Sequence, residues 1–130
     1  MFLRIAVAED DEANRTAIVR LLEALGHTVP ISVADGHDLV NGCKSTEIDL
    51  VFADFQLPKM DGLAAAEHLA GLGIPVVIVS GHVDAENIVV DHEPIEMVLR
   101  KPASIDGLRE AIHHVTSGDW QQKKGAIFGS

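Results

Sequence analysis

The sequence contains a single cysteine, Cys43. A lone cysteine cannot form a disulfide within the chain, which excludes a disulfide-stabilised fold. Cys43 lies among Leu39, Val40 and Ile48, where a small core or surface thiol is the expected role and a redox function is not.

Basic residues are scarce, with 10 against 20 acidic residues and a net charge of −10. This charge repels both nucleic acid phosphates and anionic membrane surfaces, so we expect neither as a partner. Apolar runs such as Ile74 to Val79 are too short to span a bilayer, and the N-terminus lacks the layout of a signal peptide. No glycine-rich phosphate loop follows any apolar run, which argues against nucleotide binding. We therefore expect a cytoplasmic protein.

The 130 residues, 47% of them hydrophobic, fit one globular domain. Short apolar runs alternate five times with stretches of helical period, and this alternation predicts an α/β fold with a parallel sheet between helices. The predicted strands are Leu3 to Ala8, Thr28 to Val33, Ile48 to Ala53, Pro75 to Val79 and Met97 to Arg100. Pro30 cannot donate to a ladder, which places the second strand at a sheet edge.

Five helices are predicted between and after these strands. They run from Ala13 to Gly26, over Leu39 to Cys43, from Leu63 to Ala70, over Ala85 to Val90 behind an Asp84 cap, and from Ile105 to Val115 behind a Ser104 cap. The fourth helix is the least regular, because polar residues and Pro94 follow it. We expect a mobile element there.

Polar residues follow the predicted strands at the end where open parallel sheets bind their ligands. Glu9 and Asp10 follow the first strand, and Asp54 follows the third. Ser80 and Lys101 follow the fourth and the fifth. The pattern therefore predicts three carboxylates, a hydroxyl and an ammonium at one edge of the sheet.

Three crowded carboxylates raise each other's pKa values unless a cation is present. Oxygen ligands in a shallow site favour Mg²⁺, which also binds phosphoryl groups. Asp54 could then attack phosphorus and form an acyl phosphate. Lys101 would neutralise one phosphoryl oxygen, and the Ser80 hydroxyl would donate a hydrogen bond to another.

From about Leu3 to Val115 the chain resembles the receiver domain of two-component response regulators. The most specific stretch runs from Asp49 through Asp54 to a Pro-Lys-Met-Asp-Gly turn ending at Gly62. The acids before Asn14-Arg15, the Ser80-Gly81 pair and the Lys101-Pro102 pair occur in the order of that family.

The resemblance implies a flavodoxin-like doubly wound (βα)5 three-layer sandwich whose five parallel strands lie in the order 2-1-3-4-5. It also implies that Asp54 accepts a phosphoryl group from the phosphohistidine of a sensor histidine kinase or a histidine phosphotransfer protein. Mg²⁺ would be held by Glu9, Asp10, Asp54 and the backbone carbonyl of Gln56. Counting back from Arg15 makes Glu9 and Asp10 the metal pair and leaves Asp11 at the start of the loop, with a slip of one residue as the alternative.

Two features set this chain apart from the usual receiver pattern. Val98 stands three residues before Lys101, where many receivers have a tyrosine or phenylalanine that swings inward on activation. A valine has one stiff rotamer, so we expect activation to pass through the Gly81 to Pro94 segment. In the family that this chain resembles, the positions of His82 and Gln56 flank the path of the water that hydrolyses the acyl phosphate. His82 therefore either tunes the lifetime of the acyl phosphate or is a solvated loop histidine.

We therefore predict a receiver domain over residues 1–117 and a tail over residues 118–130, with no output domain. Such a protein is a signalling switch and not an enzyme, and it acts by contacting a downstream protein target, with a homodimer on phosphorylation left open. Trp120 and Phe128 in the tail are either a partner contact or staples onto the last helix. Met1 directly before the first strand favours a natural start.

Three other interpretations compete with this prediction. An aspartate-nucleophile phosphatase would need a second acid at Gln56. A scaffold that ignores phosphate would not need the acids, hydroxyl and lysine that this chain retains. A receiver excised from a hybrid kinase stays open.

Overall fold

A computed structural model describes residues 2–81 and 95–117 of the chain. The five strands are β1 (Arg4–Ala8), β2 (Thr28–Val33), β3 (Leu50–Asp54), β4 (Val76–Ser80) and β5 (Ile95–Arg100). The helices of this described part are α1 (Glu12–Ala24), α2 (Gly36–Ser45), α3 (Gly62–Ala70) and α4 (Ile105–Thr116). None of these helices is long and apolar enough to cross a membrane.

The strands form one parallel sheet in the order β2-β1-β3-β4-β5, which confirms the predicted fold class and strand order. Pro30 lies in β2 at the edge of this sheet, as predicted. The predicted helix over Ala85 to Val90, the Gly81 to Pro94 segment beyond Gly81, and the tail over residues 118–130 lie outside the described residues.

Several predicted boundaries were wrong by one or two residues. β4 begins at Val76, because Pro75 has no N–H and contributes only its carbonyl, which accepts the Val51 N–H at 3.0 Å. β3 begins at Leu50 and includes Asp54, because Ile48 and Asp49 precede the ladder and the Asp49 carboxylate accepts the Arg4 N–H at 2.8 Å.

Strand β5 begins at Ile95, two residues before the predicted start, since Ile95 already pairs with Val76. Strand β1, by contrast, begins at Arg4, one residue after the predicted start.

Each described helix begins behind a side chain that accepts an N–H from the residue three positions later. The caps are Asp11, Asp35, Asp61 and Ser104, with acceptor distances of 2.7–3.0 Å. Ser104 was predicted as a cap. Asp11 was placed at the start of a loop, whereas the structure makes it the cap of α1.

Two hydrophobic clusters cover the two faces of the sheet, because alternate strand residues point to opposite faces. Ala6 and Ala8 of β1 lie in the cluster with α2 and α3, while Ile5 and Val7 lie in the cluster with α1 and α4. This arrangement is the predicted three-layer sandwich. Cys43 is buried in the first cluster, and burial raises the pKa of its thiol to about 11.

The first residue of α2, Gly36, lies against the loop between β3 and α3. A Cβ atom at this position would be 1.9 Å from the backbone oxygen of Met60. We predict that Gly36→Ala lowers the free energy of unfolding by about 1–3 kcal/mol, because a backbone carbonyl cannot yield as a side chain can. Urea unfolding followed by circular dichroism measures this change.

Gly42→Ala is the matched control in the same helix. The three atoms nearest to a Cβ added there belong to the Ile31 side chain, the nearest at 3.0 Å. The gain in helix propensity, about 1 kcal/mol, offsets this crowding. Equal unfolding midpoints for the two variants would contradict the prediction.

The ring of His27 accepts the Leu3 N–H through Nδ1 at 3.1 Å, and burial lowers the pKa of this histidine. The unfolded chain therefore takes up the proton more readily than the folded protein. The stabilisation from His27 is complete above the unfolded pKa of about 6.5 and is lost as the pH falls from there through the lower folded pKa. We predict that His27→Asn reduces the loss of stability between pH 7.5 and pH 5.5.

Urea unfolding at the two pH values measures this effect. His68 is exposed on α3, so His68→Asn should retain the pH dependence of the unchanged protein. Identical behaviour of His27→Asn and His68→Asn would rule out the role of His27.

Candidate functional site

Four strand ends bring the polar residues of the predicted site to one edge of the sheet. β1 and β3 are neighbours in register, with Ala8 opposite Ala53, so that Glu9 and Asp54 follow at the same level. On the other side of β3, Asp54 pairs with Val79 of β4. The edge therefore collects residues that are as many as 92 positions apart in the sequence.

Lys101 connects the carboxylates of this edge. Its ammonium nitrogen lies 2.7 Å from Glu9 Oε1 and 2.8 Å from Asp54 Oδ2. The backbone of Lys101 is held as well, because its N–H donates to the Ser80 carbonyl at 3.0 Å, and its bond to Pro102 is cis. One cation is thus shared by two buried carboxylates.

The pKa of Lys101 reflects two opposing effects. Partial burial by itself lowers this pKa. The hydrogen bonds to Asp54 and Glu9, together with the charges of both carboxylates, outweigh burial and raise the pKa. Lys101 is therefore firmly cationic at neutral pH.

The second oxygen of each buried carboxylate is held by a backbone N–H. Glu9 Oε2 accepts the Asp11 N–H at 3.2 Å, and Asp54 Oδ1 accepts the Gln56 N–H at 3.2 Å. Glu9 is only 2% exposed and Asp54 9% exposed, so both side chains are shielded from solvent. The two side chains are fixed before any ligand binds.

Asp10 completes a cluster of three carboxylates with Glu9 and Asp54. One oxygen from each lies within 4.8 Å of the others, and Asp10 is the exposed member. Three converging carboxylate oxygens with access to solvent suit a hard divalent cation that keeps several waters, as Mg²⁺ does. The residues present therefore fit the implied ion.

Ser80, Gln56 and Val98 occupy different places around this cluster. Ser80 ends β4, is 2% exposed and pairs with Arg100 across the sheet. Gln56 is exposed in the loop after β3, and its backbone contacts Asp54 as described. Val98 is buried in the hydrophobic cluster that faces α2 and α3. His82, the other residue predicted near the site, lies outside the described residues.

A cavity of about 280 Å³ opens beside the cluster, between α1 and the loop that follows β5. Glu9 and Lys101 contribute polar atoms to its wall, while Ala17, Ile18 and Pro102 contribute apolar ones. A group that enters this cavity meets a cation and an apolar surface.

Two features of the site were missed at the sequence level. The Arg15 guanidinium donates from Nη1 to the Glu9 carbonyl at 2.8 Å, although Arg15 served only to set the register of the acids. Lys59 lies 3.5 Å from Asp35, the cap of α2, and so ties that helix to the loop after Asp54. The spacing of Arg15 from Glu9, six residues, was the only available signal.

Comparison with known proteins identifies the fold and its family. The family profile "Response regulator receiver domain" matches residues 5–113. Among curated proteins, the chain is 25% identical over 124 residues to the autoinducer 1 sensor kinase/phosphatase LuxN of Vibrio campbellii, covering 94% of this chain and 14% of LuxN. It is 30% identical over 113 residues to the sensor histidine kinase RcsC of Salmonella typhi, covering 85% of this chain and 12% of RcsC.

A solved structure shows the same likeness. The receiver domain of the sensor histidine kinase PA1611 from Pseudomonas aeruginosa superposes with a TM-score of 0.77 at 26% identity, over 90% of this chain and all of that one. That structure has a magnesium ion coordinated in its active site cleft. The chain belongs to the response regulator receiver domain family, whose general function is phosphorylation-dependent signalling.

Proposed function

We propose that this chain is a receiver switch in which Asp54 accepts a phosphoryl group from a phosphohistidine. The observation that carries this proposal is the contact of one lysine, Lys101, with both Glu9 and Asp54 at the carboxyl edge of the sheet. A buried carboxylate that forms an ion pair with a neighbouring cation can act as a nucleophile toward phosphorus.

In the proposed transfer, an oxygen of Asp54 forms a bond to phosphorus while the bond between phosphorus and the imidazole nitrogen breaks. The electron pair of the broken bond returns to the imidazole of the donor. Lys101 stays beside the new acyl phosphate and neutralises a phosphoryl oxygen, and the Ser80 hydroxyl donates a hydrogen bond to another.

Glu9, Asp10 and Asp54 would hold Mg²⁺ through their carboxylates, with the backbone carbonyl of Gln56 as a further ligand. When bound, this ion neutralises charge on the phosphoryl oxygens during transfer. The convergence of the three carboxylates within 4.8 Å supports this assignment.

We propose that the phosphorylated protein serves as a signal, and that the chain does not turn over a substrate as an enzyme does. Gln56 stands where an aspartate-nucleophile phosphatase needs its second acid, which supports a switch. Phosphorylation worth about 2–3 kcal/mol of preference shifts two states by about 30- to 150-fold. A downstream protein target would therefore sense a graded change in the population of the active form.

The partners follow from the same chemistry. A sensor histidine kinase or a histidine phosphotransfer protein would supply the phosphoryl group to residues 1–117 in the cytoplasm. Uptake of a phosphoryl group distinguishes this proposal from the scaffold alternative, because a scaffold would not be phosphorylated. A receiver excised from a hybrid kinase would use the same chemistry as the proposed switch.

We predict that a small-molecule phosphodonor such as acetyl phosphate adds one phosphoryl group to the protein, and that the addition requires Mg²⁺ and Asp54. Intact mass spectrometry after a brief pulse and a rapid quench measures the addition. Asp54→Asn should abolish it, because the amide is not a nucleophile toward phosphorus.

Asp106→Asn is the control for this experiment, because Asp106 is an exposed residue of α4 that pairs only with Arg109 on its own helix turn among the described residues. This variant should be phosphorylated like the unchanged protein. If the unchanged protein takes up no phosphoryl group in the pulse, the scaffold interpretation replaces the proposal.

Removing the Lys101 charge should strengthen binding of Mg²⁺ to the unphosphorylated protein. The ammonium contacts two of the three carboxylates and repels a second cation, and unit charges about 4 Å apart interact by about 4 kcal/mol at an effective dielectric constant of about 20. We predict that Lys101→Met lowers the dissociation constant for Mg²⁺ by about tenfold or more, as measured by isothermal titration calorimetry.

Lys59→Met removes an exposed ammonium from the neighbouring loop and is the matched control. Its dissociation constant for Mg²⁺ should stay within about twofold of the unchanged protein, because exposed charges are screened. Equal affinities for Lys101→Met and the unchanged protein would show that Lys101 does not compete with the ion.

A further inference from the structure

The three carboxylates of the site are not held equally well. Glu9 and Asp54 each accept one hydrogen bond from Lys101 and one from a backbone N–H. Asp10 is exposed and forms no hydrogen bond or ion pair with the side chains that the structure describes. The position of its carboxylate therefore depends on the backbone of the turn between β1 and α1.

Repulsion acts against that position. Like charges within a few ångströms disfavour one another, and Lys101 compensates only Glu9 and Asp54. An exposed carboxylate relieves the repulsion by moving toward water. The turn must resist this movement if Asp10 is to remain near the other two.

Arg15 holds the turn on both sides of Asp10. Its guanidinium donates from Nη1 to the carbonyl of Glu9 at 2.8 Å, and its backbone N–H donates to the carbonyl of Asp11 at 2.9 Å. Arg15 thus binds the carbonyls of the residues before and after Asp10. The side-chain bond is the stronger kind, because its donor is charged.

The first and last residues of the same turn, Glu9 and Asp11, form further hydrogen bonds. The Glu9 N–H donates to the Val33 carbonyl of β2 at 3.0 Å, and the Asp11 carboxylate accepts the Asn14 N–H at 2.8 Å. Without the Arg15 guanidinium, the Glu9 carbonyl loses the bond that ties it to α1. The peptide between Glu9 and Asp10 can then change its orientation more easily than the rest of the turn.

From this geometry we propose that Arg15 is a positioning residue, which holds the Glu9–Asp11 turn so that the Asp10 carboxylate stays in place for a divalent cation. The proposal deepens the proposed function and rests on it, since it concerns the same cation. In this role Arg15 is not a ligand of the cation, and it acts through the backbone carbonyls of Glu9 and Asp11.

The sign of the effect on cation binding distinguishes positioning from electrostatics. If Arg15 acted only through its charge, its removal would strengthen the binding of Mg²⁺, because a nearby positive charge repels the ion. Positioning predicts the opposite result. Loss of the guanidinium would weaken binding although it makes the protein more negative.

The test is isothermal titration calorimetry with Mg²⁺ alone, without a phosphodonor, on the full chain. Arg15→Met retains the aliphatic stem and should weaken binding by about tenfold, the lower end of the range for residues that orient metal ligands. Arg15→Lys retains the positive charge and N–H donors on a shorter side chain, and it should recover part of the affinity. Arg20 is exposed on the same helix, so Arg20→Met removes the same charge and should leave the affinity unchanged or slightly stronger.

A folded Arg15→Met variant that binds Mg²⁺ as tightly as the unchanged protein, or more tightly, overturns the proposal. If Arg15→Met does not fold, Arg15→Gln serves in its place, because its amide ends two bonds short of the guanidinium nitrogens. Circular dichroism without Mg²⁺ establishes folding of each variant.

Phosphorylation kinetics give a second measure. Arg15→Met should need about tenfold more Mg²⁺ for half-maximal phosphorylation and reach the same maximal rate at saturating Mg²⁺. An unchanged protein that binds Mg²⁺ but takes up no phosphoryl group would refute the proposed function and leave the calorimetric test of Arg15 valid.

Discussion

The architecture of the site depends on the contact of Lys101 with both Glu9 and Asp54. Two buried carboxylates at one sheet edge would repel each other without a cation between them. Lys101 supplies that cation from the end of β5, at 2.7 and 2.8 Å. The sheet order makes the contact available, because β1 and β3 are neighbours and the turn after β5 reaches back across β4.

Much of this arrangement is readable in the sequence. Five apolar runs that alternate with helical periods predict a parallel sheet between helices, and Pro30 predicts which strand lies at its edge. The acids after the first and third runs and the lysine after the fifth predict a shared edge, since parallel strands end on one side. Each of these features is read from short stretches of sequence, without knowledge of which distant segments they contact.

The remaining features depend on contacts between distant segments. The contact of Lys101 with Glu9 as well as Asp54 requires the actual spacing of β1, β3 and β5. A side chain is disfavoured at Gly36 because α2 packs closely against the loop after Asp54, where a Cβ would meet the Met60 oxygen. Strand β5 begins two residues before the predicted start, because Ile95 pairs with Val76 of β4. Local pattern carries no information on such partners.

The surroundings of Asp54 differ strongly on its two sides. Toward α2 and α3 the backbone is tightly packed, since a Cβ at Gly62 would lie 2.5 Å from the Asp54 carbonyl and one at Gly36 would lie 1.9 Å from the Met60 carbonyl. Toward α1 the structure has an open cavity beside Glu9 and Lys101. Close packing resists displacement of the backbone, whereas an open cavity admits a ligand. Asp54 is therefore closely packed on the α3 side, while on the α1 side its neighbours Glu9 and Lys101 form part of the cavity wall. The residues that hold this wall decide how precisely an incoming cation or phosphoryl group meets the carboxylates.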